Sequence, residues 1–317
     1  MHLFPKTHFD FLGQRWHFFM LSGLLLGASV VSLATRGIKY GIDFTGGTTI
    51  QLSFDKPIDL SKLRAACDKV GWKNSSLQTF EGTARPTYEI RAQADINQTG
   101  GAEAIEGKLK DLQTQIGDAP FKVESKSYVG PSVSQDLSRK ALWAIVLSLA
   151  GIIAYLAFRF ADPIWGVAGI IALFHDVLAT YGLFSILGKE VDLLIISAIL
   201  TIGGYSIHDT IVIFDRMREK MKIMRREPLA QIMNESMNET LSRTVITSMT
   251  VLVVVLILYL FGGEVIHSFA MAMVFGGIVG TYSSVAVAAP LVYEWTLRHG
   301  GGRAEPSSVK VKASAKR

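Results

Sequence analysis

The sequence predicts an α-helical polytopic membrane protein with six transmembrane helices and one inserted external α+β domain of ferredoxin-like topology. Three observations predict this fold class. Six apolar runs have the length of about 20 residues that a helix needs to cross a bilayer. Residues 36–140, between the first two runs, contain short apolar stretches and many turn residues, as in a soluble domain. Only 19% of the 317 residues are charged, against roughly 25% in soluble domains.

Residues 1–35 are predicted to form a cytoplasmic amino terminus and the first transmembrane helix. The apolar run 16–34 is longer than the roughly 7–15 apolar residues of a secretory signal peptide, although residues 32–34 resemble a cleavage site. We therefore interpret the run as an uncleaved helix. Gly23 and Gly27 form a small-xxx-small pair, which favours close packing of a neighbouring helix.

Residues 36–140 are predicted to form the external domain. Apolar spacing indicates, in order, a strand at 48–54, a helix at 61–70, strands at 74–80 and 87–92, a helix at 102–116 and a strand at 121–128. The order β-α-β-β-α-β is that of the split βαβ pattern. The single cysteine, Cys67, excludes an internal disulfide and a cysteine-only metal site, and we expect it to pack as a small apolar side chain.

Residues 141–298 are predicted to form the rest of the transmembrane bundle. The five further spans are placed at 141–158, 163–187, 193–214, 245–261 and 268–297. The polar segment 215–243 is predicted to form one or two amphipathic helices on the cytoplasmic membrane surface. The basic tail 299–317 is predicted to be disordered and cytoplasmic.

Basic residues determine the predicted orientation. Arg15, Arg159, the segment 216–226 and the tail fall on one side of a six-span protein. The short loops on the other side hold Lys189 as their one basic charge, beside the acidic residues Glu190, Asp192 and Glu264. Cytoplasmic loops carry the excess of Lys and Arg, so both termini are predicted to be cytoplasmic and the domain external. This distribution also explains the net charge of +5, and no nucleic-acid partner is predicted.

Asp209, next to His208, lies inside the apolar run 193–214. A charge in the hydrocarbon region costs at least about 2.5–3.5 kcal/mol, so such residues usually face a bundle interior or a water path. Asp209 is therefore a candidate proton carrier. The alternatives are a structural polar contact and a helix end that emerges into water. His208 projects about 100° away around the helix and need not face the same partner.

Arg243, at the start of the fifth span, is a candidate partner of Asp209 if the fourth and fifth helices are antiparallel neighbours. Opposite charges within about 4–6 Å favour the ionised carboxylate, so protonation would be coupled to opening of the contact. The alternative is an ordinary flanking charge. His175 and Asp176, in the middle of the third span, are a second candidate for the proton pathway, or else a polar cluster that holds helices together.

Several motifs resemble those of the SecD/SecF family, which belongs to the resistance–nodulation–division superfamily. The matching residues of the extramembrane stretches are Gly41, Asp43, Phe44, Gly46, Gly47, Gly130 and Pro131. Those of the spans and their ends include Arg159, His175, Asp176, Gly204, Tyr205, Ser206, Asp215, Arg216 and Arg243. Six spans and one modest external domain match the smaller of the family's subunits. One departure is His208, where the family usually has asparagine.

The resemblance implies an accessory subunit of the Sec translocon in the bacterial cytoplasmic membrane, which uses the proton gradient to help pull exported proteins outward. It implies that proton transport depends on Asp209 and Arg243. The implied partners are SecD, the SecYEG translocon, YajC, YidC, unfolded preproteins and membrane lipid. No catalytic triad, metal-ligand set or dinucleotide fingerprint stands out in the sequence, so neither an enzyme nor a cofactor is predicted.

Two other classes of function remain open. A proton-driven small-molecule or lipid transporter of the same superfamily would use similar membrane charges, but a multidrug exporter would carry two six-span halves and larger external domains. A passive membrane scaffold would have no need of Asp209 and His175 in its spans. Because a single six-span half exposes an incomplete interface, we expect a SecD-like partner to supply the other half.

Overall fold

The computed structural model describes residues 7–72, 75–80, 85–93, 102–117, 119–160 and 162–299. The chain divides into two compact units. The helical unit consists of Met1–Gly37, Ser148–Gly188 and Ser197–Arg317, and the α+β unit consists of Ile38–Leu147 and Lys189–Ile196. From residue 300 onward, the tail that the sequence predicts to be disordered lies outside the described residues.

The helices and strands follow one another closely along the described chain. The helices are α1 (Arg15–Arg36), α2 (Ile42–Thr45), α3 (Leu60–Lys69), α4 (Ala102–Ile116), α5 (Pro131–Arg159), α6 (Pro163–Leu187), α7 (Leu193–Ile223), α8 (Leu229–Phe261), α9 (Glu264–Ser283) and α10 (Ala289–Arg298). The strands are β1 (Lys39–Tyr40), β2 (Gly47–Phe54), β3 (Ser76–Phe80), β4 (Thr87–Gln93), β5 (Phe121–Val129) and β6 (Glu190–Val191).

Within the described residues, six helical segments are long and apolar enough to cross a membrane. They are α1, α5, α6, α7, α8 and the segment Val265–Arg298, which includes most of α9 and all of α10. The predicted number of spans is therefore confirmed. The helices extend beyond the apolar runs, however, because polar residues continue a helix once it has begun. For example, α5 begins at Pro131, ahead of the predicted start at residue 141.

The ends of α6 show how local sequence sets a helix boundary. The Asp162 carboxylate accepts a hydrogen bond from the Ile164 N–H at 3.2 Å. Pro163 occupies the first turn, where an N–H has no acceptor within the helix, so the N–H that proline lacks is not needed. Gly188 ends the helix in the left-handed conformation, with φ 63°, which glycine adopts without strain.

The segment 215–243 differs from its prediction. It does not form separate surface helices but the end of α7 and the beginning of α8, which only residues 224–228 separate. Ion pairs hold the two helix ends together. Lys220 Nζ lies 2.8 Å from a carboxylate oxygen of Glu235 and 2.6 Å from one of Glu239, and Arg216 also contacts Glu239, at 2.5 Å. The charges that predict a surface helix therefore face each other between two long helices.

The last span contains one turn of wider π-helix at Ser284–Ala288. Pro290 explains this turn, because proline lacks an N–H and its ring clashes with the carbonyl four residues earlier in a regular helix. A π turn is a known way to accommodate such an interruption. Within this turn Ser284 Oγ lies 3.0 Å from Thr210 Oγ1 of α7, so the wider turn also contributes a polar contact between helices.

Aromatic residues fill part of the core of the helical unit. Phe214 of α7 is fully buried, and its ring packs edge-on against those of Phe160, at 5.7 Å between centroids, and Trp165, at 5.0 Å. Such pairs contribute about 0.5–1.5 kcal/mol beyond the area that they bury. Leu12, from the amino-terminal segment, belongs to the same core and is 1% exposed.

A glycine of α6, and not the predicted pair of α1, permits close contact between these two helices. A Cβ atom at Gly182 would lie 2.1 Å from Ser29 Oγ and 2.7 Å from Ser29 Cα. Small residues allow such backbone approach in membrane helices. By contrast, no atom of another element in the described chain lies within 4 Å of a Cβ placed at Gly23 or Gly27.

In the α+β unit, the elements from β2 to β5 run strand, helix, strand, strand, helix, strand. The four strands form an antiparallel sheet in the order β3-β4-β2-β5. β2 is thus an interior strand, and its Ile50 is paired with Ile90 of β4 and Lys126 of β5. The pairing of β2 with β5 shifts between Gln51 and Leu52, which marks a β-bulge.

The core of the α+β unit lies between the sheet and the helices α3 and α4. Leu63 and Cys67 of α3 and Leu112 of α4 are fully buried in one cluster with Ile90 of the sheet. Burial raises the pKa of the Cys67 thiol to about 11, so the side chain is neutral at pH 7. Cys67 therefore packs as a small apolar group, as the sequence predicts.

A short parallel ladder in the α+β unit was not predicted. It pairs Lys39 of β1 with Glu190 of β6, and Tyr40 with Val191. Residues 189–196 therefore belong to the α+β unit, although hydropathy alone places them at the junction of two spans. Strands of two residues have no periodicity that a sequence pattern could reveal.

Replacement of Gly182 by leucine tests the contact between α1 and α6. We expect Gly182→Leu to destabilise the helical unit by about 1–3 kcal/mol, because the new side chain must displace Ser29 and its backbone. The measurement is the apparent melting temperature of the purified protein in detergent. The matched control is Gly23→Leu, for which the described chain offers open space. Equal losses in the two variants would contradict the assignment of Gly182 as the packing glycine.

Candidate functional site

Asp209 is held inside the helical unit by hydroxyl groups. Its side chain is 3% exposed, and Oδ2 accepts a hydrogen bond from Ser248 Oγ of α8 at 3.2 Å. Thr281 Oγ1 of α9 lies 2.9 Å from Ser248 Oγ and 2.8 Å from the Gly277 carbonyl oxygen. The Thr281 hydroxyl has one proton, so it can serve only one of these two acceptors at a time. The chain of hydroxyls leading from Asp209 is therefore able to rearrange.

Arg243 does not contact Asp209 in this structure. Among the described residues no ion pair includes Arg243, and its side chain is exposed. The reason lies in helical geometry, because Arg243 precedes Ser248 by five residues of α8 and thus projects about 140° away from it. Since Ser248 faces Asp209, Arg243 is directed elsewhere. The sequence hypothesis of a direct pair would require another arrangement of α7 and α8.

His208 and Asp209 are adjacent in the chain but differ in environment. His208 is exposed, whereas Asp209 is buried. This difference follows from the rotation of about 100° per residue around a helix. Tyr205 lies one turn before Asp209 on the same face of α7, and its hydroxyl is buried without a hydrogen bond of ordinary geometry to the described residues.

Asp176 forms a second buried cluster, which is more fully bonded than that of Asp209. Asp176 is completely buried in α6, and its Oδ2 accepts hydrogen bonds from Ser206 Oγ of α7, at 2.5 Å, and Ser283 Oγ of α9, at 2.8 Å. Oδ1 lies 2.9 Å from His175 Nδ1. The other ring nitrogen of His175, Nε2, is buried without a partner in the described chain. The cluster joins α6, α7 and α9, which is what the alternative of a polar cluster that holds helices together requires.

The hydroxyl donors of both clusters were missed by the sequence reasoning. Ser248, Thr281 and Ser283 were not singled out, and Ser206 was noted only as part of a motif. One feature of the sequence, Gly280, marks the place where the helices of the Asp176 cluster approach closely. A Cβ at Gly280 would lie 3.0 Å from Ser206 Cβ and 3.5 Å from Asp176 Oδ2. A search for glycines near polar residues on apolar helices could have indicated this crossing, but not which carboxylate is involved.

The motif residues of the α+β unit form a turn between β1 and β2. Gly41 donates its N–H to the Val191 carbonyl oxygen at 2.9 Å, and Asp43 Oδ2 accepts the Leu193 N–H at 3.1 Å. Gly46 and Gly47 both have positive φ, of 70° and 146°, where a side chain would be strained. This requirement accounts for the two consecutive glycines.

Asp192, the residue before α7, places a second carboxylate near this turn. Its Oδ1 accepts the Ile195 N–H at 2.9 Å, so it caps the beginning of α7. Burial raises the pKa of the Asp192 carboxyl above its ordinary value, and the nearby negative charge of Asp43 adds to the rise. Two carboxylates are therefore close together at the amino-terminal end of the helix that contains Asp209.

The remaining motif residues lie within or at the ends of helices. Asp215 pairs with Arg159 at the carboxyl-terminal end of α5, and Arg216 bonds Glu219 and Glu239. The stretch Gly130-Pro131 begins α5, with Pro131 as its first helical residue, and Phe44 packs edge-on against Tyr40 at 5.8 Å. Gly204 is exposed, with nothing of the described chain within 4 Å of a Cβ placed on it.

The described residues contain no group of three or more His, Cys, Asp or Glu side chains placed to hold a metal ion.

Two protein-family models match this chain. The model for the carboxyl-terminal region of the protein export membrane proteins SecD and SecF matches residues 108–298, and the model for the SecD/SecF GG motif matches residues 31–58. The protein translocase subunit SecF of Magnetococcus marinus is 43% identical over 293 residues, which cover 92% of this chain and 94% of that protein. The subunit SecF of Vibrio alginolyticus is 41% identical over 282 residues, covering 88% and 87%.

Two solved structures are similar to this chain. SecDF of Thermus thermophilus, a translocon-associated membrane protein, has a TM-score of 0.82 and 35% identity, and the match covers 92% of this chain and 39% of SecDF. SecDF in a super-membrane-facing form has a TM-score of 0.67 and 33% identity, with 94% and 40% covered. This chain thus spans about two fifths of the length of the SecDF chains.

Alanine substitutions are expected to distinguish the two buried carboxylates. Asp176→Ala should destabilise the helical unit by about 3 kcal/mol, because two buried hydroxyls and a ring nitrogen lose their partner. Asp209→Ala should cost only about 1 kcal/mol, because it removes one hydrogen bond. Apparent melting temperatures in detergent provide the comparison. A larger loss for Asp209→Ala would contradict the view that Asp176 is the structural member of the two.

Proposed function

Because the chain belongs to the SecD/SecF family of protein export membrane proteins, we propose that it acts as a SecF-type accessory subunit of the Sec translocase. In this role it couples the proton gradient across the bacterial cytoplasmic membrane to the export of unfolded preproteins, and it performs no catalysis itself. The observation that carries the proposal is Asp209, a carboxylate that is 3% exposed within a membrane-length helix and that bonds, among the described residues, to a hydroxyl and not to a cation.

Asp209 is the proposed proton carrier and Arg243 its switching partner. A carboxylate in a low-dielectric setting is costly when charged and unpaired, so the protonated form is favoured while Asp209 bonds the neutral hydroxyl of Ser248. Contact with Arg243 would favour the ionised form. We propose that the exposed position of the Arg243 side chain belongs to the unpaired state of this switch. Because Arg243 projects away from Asp209, the paired state requires a shift or rotation of α8 relative to α7.

His208, His175 and Asp176 are proposed as further members of the proton pathway. His208 is exposed beside Asp209, and an imidazole titrates in the physiological pH range. His175 Nε2 is buried without a hydrogen bond in the described chain, and the buried Tyr205 hydroxyl has none of ordinary geometry there but interacts with Ser248, the residue that bonds Asp209. These atoms supply polar positions between the apolar helices through which a proton can pass.

The α+β unit is proposed to be the external domain, of ferredoxin-like topology, formed mainly by residues 36–140. The strand order β3-β4-β2-β5, with helices after β2 and β4, supports this topology. We propose that the domain grips or steers the unfolded preprotein through its sheet and grooves. Residues 1–35, 141–298 and the tail 299–317 form the membrane and cytoplasmic parts, with both termini in the cytoplasm.

SecD is the proposed direct partner. The similar SecDF chains are more than twice as long as the part that this chain matches, which leaves room in them for a second half. The exposed apolar faces of α5 and α8 are consistent with contacts to membrane lipid and to such a partner. The SecYEG translocon, YajC, YidC and the preproteins complete the proposed set, which includes no nucleic acid and no cofactor.

Reporter insertions test the proposed orientation. A reporter that is active only outside the cytoplasm should be active when inserted at Gly101 and inactive when fused to the tail, because basic residues concentrate on the cytoplasmic side. A reporter active only in the cytoplasm should show the reverse pattern. Cytoplasmic activity at Gly101 would overturn the topology.

Asp209→Asn tests the proton carrier. Asparagine keeps the size of the side chain and can still accept the Ser248 hydroxyl, but it cannot titrate. We expect this variant to retain gradient-independent export and to lose the part that a proton gradient stimulates, as measured in vesicles that contain the translocon and SecD. Arg243→Lys should give a partial defect, because it keeps the charge and loses the planar fork.

The control for this experiment is Asp162→Asn. Asp162 caps α6 and lies outside the proposed pathway, and asparagine also caps helices well. Export with Asp162→Asn should depend on the gradient as in the unaltered protein. If Asp209→Asn kept the same dependence at normal expression, the carrier role would be refuted and Asp209 would be a structural contact.

A further inference from the structure

The turn after β1 contacts the beginning of α7 through groups that are far apart in the sequence. Asp43 Oδ2 accepts the Leu193 N–H at 3.1 Å across a separation of 150 residues. Gly41 donates its N–H to the Val191 carbonyl oxygen at 2.9 Å, which extends the ladder of β1 and β6 by one bond. The turn and the helix are therefore joined by backbone and side-chain bonds together.

The N–H of Leu193, in the first turn of α7, is hydrogen-bonded to a residue far away in the sequence, Asp43. The first four N–H groups of a helix have no acceptor within the helix. Asp192 serves three of them: its carboxylate is hydrogen-bonded to the Leu194 N–H and, at 2.9 Å, to the Ile195 N–H, and its carbonyl oxygen accepts the Ile196 N–H at 3.1 Å. Asp43 completes the cap from another part of the chain, so the position of α7 is tied to that of the turn.

Gly41 is required at this contact for space and not for backbone freedom. Its φ of −70° and ψ of 172° are open to any residue. A Cβ at this position, however, would lie 3.1 Å from Asp192 Cβ and 3.5 Å from Asp192 Cα. The absence of a side chain lets the turn approach the residue before α7 closely.

A half-buried arginine attaches the same segment to the sheet. Arg91 of β4 contacts Glu89 on its own strand and Glu190 of β6, the latter at 2.5 Å. Glu89 is 4% exposed, so this ion pair is largely removed from solvent and is harder to exchange for water than a surface pair. The residues that precede α7 are thus attached both to the turn and to an interior part of the sheet.

We propose that Asp43 is a positioning residue that couples displacement of α7 to the interior strand of the α+β unit. This inference rests on the proton-driven function proposed above. α7 is one continuous helix, and Asp209 lies about 24 Å along it from Leu193 at 1.5 Å per residue. At the other end of the turn, β2 begins at Gly47 and is hydrogen-bonded to β4 on one side and to β5 on the other. We therefore expect a displacement of α7 that starts at Asp209 to be transmitted to β2, an interior strand of the sheet.

Substitutions at Asp43 test this coupling in vesicles that contain the translocon, SecD and the full chain. Asp43→Ala removes the acceptor, and we expect the gradient-stimulated part of export to fall about five- to tenfold, the equivalent of one lost helix cap. Gradient-independent export should stay unchanged. Asp43→Asn keeps an oxygen that can accept the Leu193 N–H, and it should retain gradient stimulation within about twofold.

The matched control is Asp59→Ala. Asp59 caps α3 in the same unit by accepting the Ser61 N–H at 2.9 Å, so its loss has similar local chemistry but no link to α7. Gradient stimulation should survive in this variant. Equal effects of Asp43→Ala and Asp59→Ala would overturn the proposal, as would an Asp43→Asn variant as defective as Asp43→Ala, because the role would then not depend on the accepted hydrogen bond.

Two further variants keep the test decisive. If Asp43→Ala does not accumulate, Gly41→Val takes its place: the backbone conformation suits valine, but the side chain separates the turn from Asp192, so gradient stimulation should again fall. Unchanged stimulation in Gly41→Val would overturn the coupling. Asp209→Asn is measured in parallel. Loss of stimulation there with retention in Asp43→Ala rejects only the coupling, whereas retention in Asp209→Asn rejects the proton-driven function itself.

Discussion

The burial of carboxylates among apolar helices is the constraint on which the helical unit depends. Asp176 and Asp209 are at most 3% exposed, and a buried polar group without a partner is strongly unfavourable. Their hydroxyl donors come from other helices: Ser206 and Ser283 bond Asp176, and Ser248 bonds Asp209. Because each bond joins two helices, satisfying the carboxylates also fixes how α6, α7, α8 and α9 lie against one another.

Glycines on α9 make these bonds geometrically possible. Gly276 and Gly280 lie one turn apart, and a Cβ on the first would be 2.3 Å from Ile202 Cδ1, whereas one on the second would be 3.0 Å from Ser206 Cβ. Hydroxyl side chains are short, so they reach a carboxylate on another helix only where the backbones approach closely. The apolar packing and the polar contacts of the bundle therefore depend on the same small residues.

The sequence by itself determined the number of spans, the order of elements between Gly47 and Val129 and the presence of polar residues inside the membrane. These features follow from local properties, because hydropathy, periodicity and an isolated charge in an apolar run are all read within about 20 residues. The motif turn at Gly41 was found in the same way. Cys67 was correctly assigned to the core, since an unpaired cysteine without other ligand residues usually packs as an apolar group.

Only the tertiary structure decided which groups meet. Ser248 bonds Asp209 where Arg243 was the expected partner, because five residues along a helix rotate the direction of a side chain by about 140°. Asp43 bonds the N–H of Leu193 across 150 residues, and no local pattern records such a separation. Sequence patterns reveal which residues are costly to bury, but the partner that offsets this cost comes from another element, so it is determined only when the helices pack.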